Sequence, residues 1–262
     1  MMRYEICTQT DAGLVRSNNE DAVSFDPTIG LCLLADGMGG YKAGEVASSM
    51  AVAFINFELG RWLARERHAT AREVCQAMEV CIENANRSIF SAARSNLNYD
   101  GMGTTLVVGV FQEGRLLLGH VGDSRCYRLR GSAFHQITKD HSLLQERIDA
   151  GLMTPEQALT SPDKNLITRA MGVEDAVRVE INEHLTEAGD VYLMCSDGLS
   201  DMLGSADMAA ILGAAGTTLP DKALQLVEAA NLNGGRDNIS VVLIHVTQDH
   251  ARRGLLDRMR GK

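Results

Sequence analysis

The chain has 262 residues, is 45% hydrophobic, and carries 25 basic against 34 acidic side chains, a formal charge of −9. That balance excludes a nonspecific binder of nucleic acid or of anionic membrane, while the apolar content suffices for a sizeable core. The six cysteines (Cys7, Cys32, Cys75, Cys81, Cys126, Cys195) form no C-x-x-C pair and sit mostly inside apolar runs. This is the pattern of reduced thiols, not of a disulfide frame or a zinc site. The start, Met1 to Ile6, has no apolar signal core, and no stretch approaches the roughly 18 apolar residues of a membrane span. The expected compartment is the cytoplasm.

Residues 3–9 have strand character and run into a polar turn, Thr10 to Gly13. Arg16-Ser-Asn-Asn-Glu20-Asp21 then gathers a cation and two acids just before a short strand, Ala22 to Phe25. The planar fork of Arg16 matches phosphate oxygens in two bonds at once, and Glu20 and Asp21 suit waters around a cation. A solvated loop is the alternative. Next comes Leu31-Cys-Leu-Leu-Ala-Asp36-Gly37-Met38-Gly39-Gly40, an apolar strand that delivers a carboxylate into a glycine-rich turn. Glycines permit close backbone approach, so a carbonyl such as that of Gly37 can reach the same ligand as Asp36. Carboxylate plus carbonyl is a hard-oxygen donor set of the kind Mg²⁺ and Mn²⁺ prefer.

A helix follows whose expected buried face is Ala43, Val46, Ala47, Met50, Phe54 and Phe57. A second opens at Thr70 with Glu73 three residues on, a capping box, and carries the stripe Val74, Met78, Cys81, Ile82, Ala85, Ile89. Then the period changes to that of strands at Thr104–Phe111, Leu116–Val121, Arg125–Leu129 and Ala133–Ile137, with tight turns between them. These four predict an antiparallel meander, with Asp123 in the turn after Gly122.

Residues 139–172 break the strand rhythm with helical stretches at Leu143–Ala150 and from Thr154-Pro155, and then a polar segment through Ser161-Pro162 to Gly172. An insertion of this length in a sheet fold is the place for a substrate-contacting flap. Strands are expected again at Val177–Ile181 and Asp190–Cys195, the second running straight into Ser196-Asp197-Gly198-Leu199. Helices around Ser205–Leu212 and Asp221–Ala230 precede Gly234-Gly-Arg-Asp237-Asn238 and a last strand, Ile239–Val246. The tail, 251–262, is basic and reads as solvated. Without repeats, low-complexity tracts or a Pro/Ser linker, residues 1–250 are expected to form one domain.

Asp36, Asp123, Asp197 and Asp237 each stand beside or just after glycine at a strand edge. Clustered at one rim, four acids would repel and raise each other's pKa, and divalent cations relieve that repulsion. Two hard cations about 3.5–4 Å apart can share a water, lower its pKa towards neutrality and direct it at phosphorus, with Arg16 holding the anion.

The ordered set Arg16…Asn19-Glu20-Asp21, Asp36-Gly-Met-Gly-Gly40, Gly101-Met-Gly-Thr-Thr105, Val121-Gly-Asp-Ser-Arg125, Ser196-Asp-Gly-Leu199 and Asp237-Asn238 resembles the metal-dependent protein phosphatases. These are the PPM, or type 2C, serine/threonine phosphatases, and the likeness is to their bacterial branch, from about residue 3 to about residue 247. The resemblance implies an α+β fold, a four-layer α-β-β-α sandwich of two antiparallel sheets flanked by helices, with 139–172 as the flap. It also implies roles. Asp36 would bridge two Mn²⁺ or Mg²⁺ ions, with the Gly37 carbonyl on one of them. Asp197 and Asp237 would complete direct coordination, and these three acids would carry catalysis through a metal-bridging hydroxide. Asp21 and Glu20 would act through water, Asp123 with Asp197 would hold a third ion, and Arg16 would bind the substrate phosphate. The implied substrates are phosphoserine and phosphothreonine proteins, with a eukaryotic-like kinase and its targets as partners. A monomer is expected.

Two departures bear on mechanism. Animal members place a His after the Asp-Gly pair as general acid, where this chain has Met38, which donates no proton. His120 and His141 are the nearby alternatives by position. The flap has Ser161-Pro162 where relatives would carry His-Pro. Two other functions use the same residues: an inactive phosphatase-fold sensor, and a small-molecule phosphomonoesterase.

Overall fold

A computed structural model describes residues 2–39, 43–158, 161, 163 and 166–248. The basic tail, Gly40 and Pro162 lie outside them. The strands are β1 (Met2–Asp11), β2 (Asp21–Asp26), β3 (Leu31–Met38), β4 (Gly103–Thr104), β5 (Leu106–Gln112), β6 (Arg115–Val121), β7 (Arg125–Arg130), β8 (Ala133–Gln136), β9 (Glu180–Leu185), β10 (Val191–Cys195) and β11 (Ile239–Gln248). The helices are α1 (Ala43–Arg65), α2 (Ala71–Ser95), α3 (Leu143–Asp149), α4 (Pro155–Ala158), α5 (Asp197–Ser200), α6 (Ser205–Gly213) and α7 (Leu219–Leu232).

The strands form two antiparallel sheets, one ordered β1-β11-β10-β7-β8 and the other β2-β3-β5-β6-β9, with β4 alongside β3. Strand alternation divides the apolar side chains among three cores. On β3, Leu31, Leu33 and Ala35 face α1 and α2, whereas Cys32 and Leu34 face the other sheet. On β11, Ile239, Val241 and Leu243 pack under α5–α7, while Val242, Ile244 and Val246 close on Cys32, Leu34 and Tyr192 between the sheets. Strands buried on both faces must be apolar throughout, which explains their uninterrupted hydrophobic runs. The result is the expected four-layer α-β-β-α sandwich.

The capping box at Thr70 is present: the Glu73 N–H donates to the Thr70 hydroxyl while the Glu73 carboxylate accepts from the Thr70 N–H. The α2 stripe from Val74 to Ile89 is buried as expected. Along α1 the expected face is displaced. Phe57 is 61% exposed, and the buried row is Ala47, Ala51, Ile55 and Leu59. Apolar residues occur around much of α1, so tertiary packing selects the face that fits closely against β3.

Two further expectations are corrected. The four-strand meander does not exist: β5 and β6 pair in one sheet, β7 and β8 in the other. The Gly122–Ser124 turn carries the chain across the sandwich, with Gly122 at φ +99°. Strand–turn–strand looks the same in sequence whether the turn closes a hairpin or changes sheets. The strand expected at Val177–Ile181 begins later, at Glu180, where register with β6 starts (His120 opposite Glu180). Its sequence, Glu-Ile-Asn-Glu-His-Leu, is that of a charged edge strand and carries little hydrophobic signal.

Candidate metal centre

The acids singled out in the sequence converge at one end of the sandwich. Arg16, Glu20, Asp36, Gly37, Asp123, Asp197 and Asp237 all line a single cavity of about 350 Å³. Asp21 lies directly opposite Asp36 in the β2–β3 register.

Each acid is fixed by its own element. Asp36 sits near the end of β3, its N–H donating to the Thr105 hydroxyl (3.0 Å) and its carbonyl accepting from the Thr105 N–H (2.9 Å). Thr105 in turn shares a 2.7 Å hydroxyl contact with Ser124, beside Asp123. Asp197 opens α5 at the point where β10 ends, and the Asp201 N–H donates to its carbonyl. Asp237 accepts from the Asn238 N–H at one oxygen (2.9 Å) and from Arg16 Nη2 at the other (2.6 Å). The approach of these turns requires glycine at two points. A Cβ on Gly37 would stand 2.2 Å from the Gly44 carbonyl, and one on Gly198 would stand 2.0 Å from the Asn238 carbonyl.

Sequence reasoning attached no role to two residues that hold the loops together. Asn238 donates to the carbonyls of Ala12 (3.0 Å) and Asn18 (2.8 Å) and accepts from the Glu20 N–H (2.8 Å), so it pins the Arg16–Asp21 loop against the turn before β11. Ser196 donates from Oγ to Asp21 (2.8 Å) and accepts from the Ser240 N–H (3.0 Å). The signal was available in both cases, since a polar side chain adjoining an acid at the end of an apolar strand must find buried partners.

Burial and mutual repulsion make this an unfavourable place for negative charge. Burial, then Asp21, Asp197, Asp123 and Asp237 in turn, drive Asp36 well above the ordinary carboxylate range. Asp197 is pushed up to about 7 by burial and then by Asp123 and Asp237. Asp123 rises to about 6 through burial and then Asp140, and Asp21 to about 6 chiefly through burial. Glu20 is raised by burial despite the opposing charge of Arg16. Among the described residues Asp21 Oδ1 is buried without a hydrogen-bond partner. An all-oxygen set of crowded acids with an orphaned lone pair fits hard divalent cations, whose charge would lower every one of these pKa values.

His120 and His141 do not line this cavity. Their rings stack at 4.7 Å, and one nitrogen of each lies with a Glu180 oxygen inside 4.8 Å, a grouping that invites comparison with a metal site. Their neighbours argue against it. The Gly122 N–H points at His141 Nδ1 (3.1 Å), and Arg169 Nη1, which can only donate, stands 2.9 Å from Nε2, nearer than Glu180 at 3.6 Å. A cation on Nε2 would have to displace that guanidinium and would leave Nδ1 facing an N–H, whereas a metal-bound imidazole needs an acceptor there. Burial, His120 and Arg169 keep His141 neutral, lowering its pKa to about 4. The pair instead ties the start of 139–172 to the Gly122 turn, with the His141 N–H also donating to the Gly122 carbonyl (3.0 Å). The returning limb bridges Ser142 to Ile167 and Thr104 to Met171, which brings Ile167 to the rim of the acid cavity.

Comparison with known proteins identifies the class. The protein phosphatase 2C family profile matches residues 15–227. The chain belongs to that family of metal-dependent hydrolases, also called PPM. It is 37% identical over 239 residues to a Listeria innocua protein named serine/threonine phosphatase stp, covering 90% of this chain and 93% of that one. A Streptococcus agalactiae serine/threonine phosphatase structure superimposes with a TM-score of 0.86 at 40% identity, covering 94% of this chain and all of the other. The catalytic domain of the phosphatase PstP, solved with two manganese ions, gives a TM-score of 0.83 at 35% identity over 95% of this chain and 100% of its own.

Proposed function

We propose that this chain hydrolyses phosphoserine and phosphothreonine in proteins, using two Mn²⁺ or Mg²⁺ ions held by Asp36, the Gly37 carbonyl, Asp197 and Asp237. Asp21 and Glu20 act on the ions through water, Asp123 with Asp197 forms a third and weaker site, and Arg16 receives the phosphate. The observation that carries this reading is the convergence of acids from distant parts of the chain on one cavity, with Arg16 at its mouth. Bound there, the cations supply Lewis acidity towards the phosphate oxygens and an activated water or hydroxide as nucleophile.

The chain's own residues do the rest. Asp36, fixed through both its backbone N–H and C=O, would hold the ions together with Asp197 and Asp237. Arg16 is half-exposed and bonded to Asp237, so a substrate phosphate can take over one face of its fork while Asp237 keeps it aimed. Met38 lines the cavity where a proton donor could stand, and among the described residues no imidazole lines it, so we assign protonation of the leaving alkoxide to water.

Residues 1–250 form the catalytic unit, with about 139–172 as its flap, and the basic stretch 251–262 is not part of that unit. The substrates are phosphorylated proteins, among them a eukaryotic-like serine/threonine kinase and its targets, met by a monomer in the cytoplasm. The free cysteines favour a reducing compartment, and no helix among the described residues is long and apolar enough to cross a membrane. The reading is tested by assaying p-nitrophenyl phosphate and a phosphothreonine peptide with Mn²⁺ and then with EDTA. Turnover should need the metal and stop with the chelator. Undiminished hydrolysis in EDTA, or none with Mn²⁺, would reject it.

A further inference from the structure

The acid cavity has a neighbour. Met38 and Ile167 line it and also line a second cavity of about 720 Å³, which runs between α2 and the segment that returns from the flap. Gly103 lets the dividing wall lie flat: a Cβ there would stand 2.8 Å from the Met38 methyl and 3.0 Å from Val173. Glu79 and Glu83 of α2 form one side of the second cavity, and Ala170, Val173 and Val177 provide apolar surface within it.

We propose that this second cavity seats substrate residues flanking the phosphorylated one, and that Glu79 and Glu83 select a lysine or arginine there. The inference rests on the phosphatase reading above and names the substrate class of the same site. Met38 and Ile167 line both cavities, so an extended chain whose phosphate is held by Arg16, advancing about 3.3–3.6 Å per residue, enters the second cavity by crossing that wall. The cavity offers what a long basic side chain needs, apolar surface for its methylenes and carboxylates for its charged end. Glu79 is exposed, and Glu83 meets Arg87 at 3.8 Å, too long to hold it closely. Glu174 adds a further carboxylate at the opening. Arg169 and Arg178 also line the cavity, on the side away from α2. Arg169 donates to the Arg178 carbonyl (3.2 Å) and stands against His141, and the exposed Arg178 would turn a basic side chain towards α2.

The test uses the Mn²⁺-loaded full-length enzyme and four phosphothreonine peptides. Two carry a lysine pair at the second and third positions, on the N-terminal or the C-terminal side, and two carry glutamates instead. p-Nitrophenyl phosphate, too small to reach α2, serves as the internal reference. Exposed charge pairs of this kind should give a roughly three- to tenfold preference in kcat/KM for lysine on one side, weakening with salt. In E79Q/E83Q that preference should collapse while turnover of p-nitrophenyl phosphate stays unchanged. The single variants E79Q and E83Q, each losing part of it, keep the test open should the double variant fold poorly. Equal rates on all four peptides, or a preference that survives both substitutions, would overturn the inference and leave the phosphatase reading standing. No turnover of any substrate by the wild-type enzyme would sink both.

Discussion

Replacing Asp197 by Asn separates what the acid cluster costs the fold from what it gives to catalysis. Asp197 is half-buried beside Asp123 and Asp237, and its carboxyl ionises only at about 7. In an unfolded chain an aspartate ionises near pH ~3.9. Between those values the native state retains a proton that the unfolded chain has shed, so stability falls as pH rises and the loss is complete above about 7. A displacement of roughly three pH units, at about 1.4 kcal/mol each, amounts to about 4 kcal/mol of native-state destabilisation in metal-free protein. D197N carries no charge and escapes it. Urea denaturation in EDTA at pH 8 should therefore show D197N more stable than wild type by up to about 4 kcal/mol. At pH 4 the difference should largely vanish. Saturating Mn²⁺ should reverse the order, because the wild type gains binding energy that the variant cannot. Turnover of D197N with Mn²⁺ should be at least about 100-fold down. A metal-free D197N no more stable than wild type at pH 8 would refute the electrostatic account of the cluster.

Other perturbations probe other parts of the site and scaffold. Arg16→Ala should raise KM for p-nitrophenyl phosphate roughly tenfold, the worth of a charged hydrogen bond, with kcat less affected; an effect on kcat alone would contradict its role as an anion clamp. Gly198→Ala puts a methyl against the Asn238 carbonyl and should cost about 1–3 kcal/mol in denaturant melts, along with most activity, since Asp197 and Asp237 flank that contact. The buried Asp190 accepts a two-bond fork from Arg130 and the Glu187 N–H (2.8 Å). Burial alone would raise its pKa, but these bonds outweigh it and hold Asp190 below the ordinary range. Its contribution is present above about pH 4 and lost as pH falls through the lowered folded value. Asp190→Asn should cost about 2–4 kcal/mol at pH 7, and the gap should narrow in acid.

Tertiary context alone supplied several features. Nothing in Arg125–Leu129 announces that its strand belongs to a different sheet from Leu116–Val121, because a turn that crosses a sandwich uses the same residues as a hairpin. That crossover carries Asp123 to the rim shared by both sheets. Which face of α1 is buried depended likewise on fit against β3, and Phe57 was left in solvent although its spacing matched a core stripe. That Asn238 and Ser196 need buried partners was legible from their positions beside acids, but which loops they tie together was decided only where opposite ends of the chain meet.

The primary structure itself determined the capping box of α2, the doubly buried strands, and the acids delivered into glycine turns at strand ends. Each of these follows from local chemistry: a side chain reaching its own helix end, an apolar run too long to face water, a turn that only glycine can make. The convergence of Glu20, Asp36, Asp123, Asp197 and Asp237 on one cavity, and the placing of a second cavity beyond Met38 beside α2, were decided by the three-dimensional fold. Coulomb repulsion and burial act through space, so their consequences for charge, metal and substrate exist only where the packed sheets bring those side chains together.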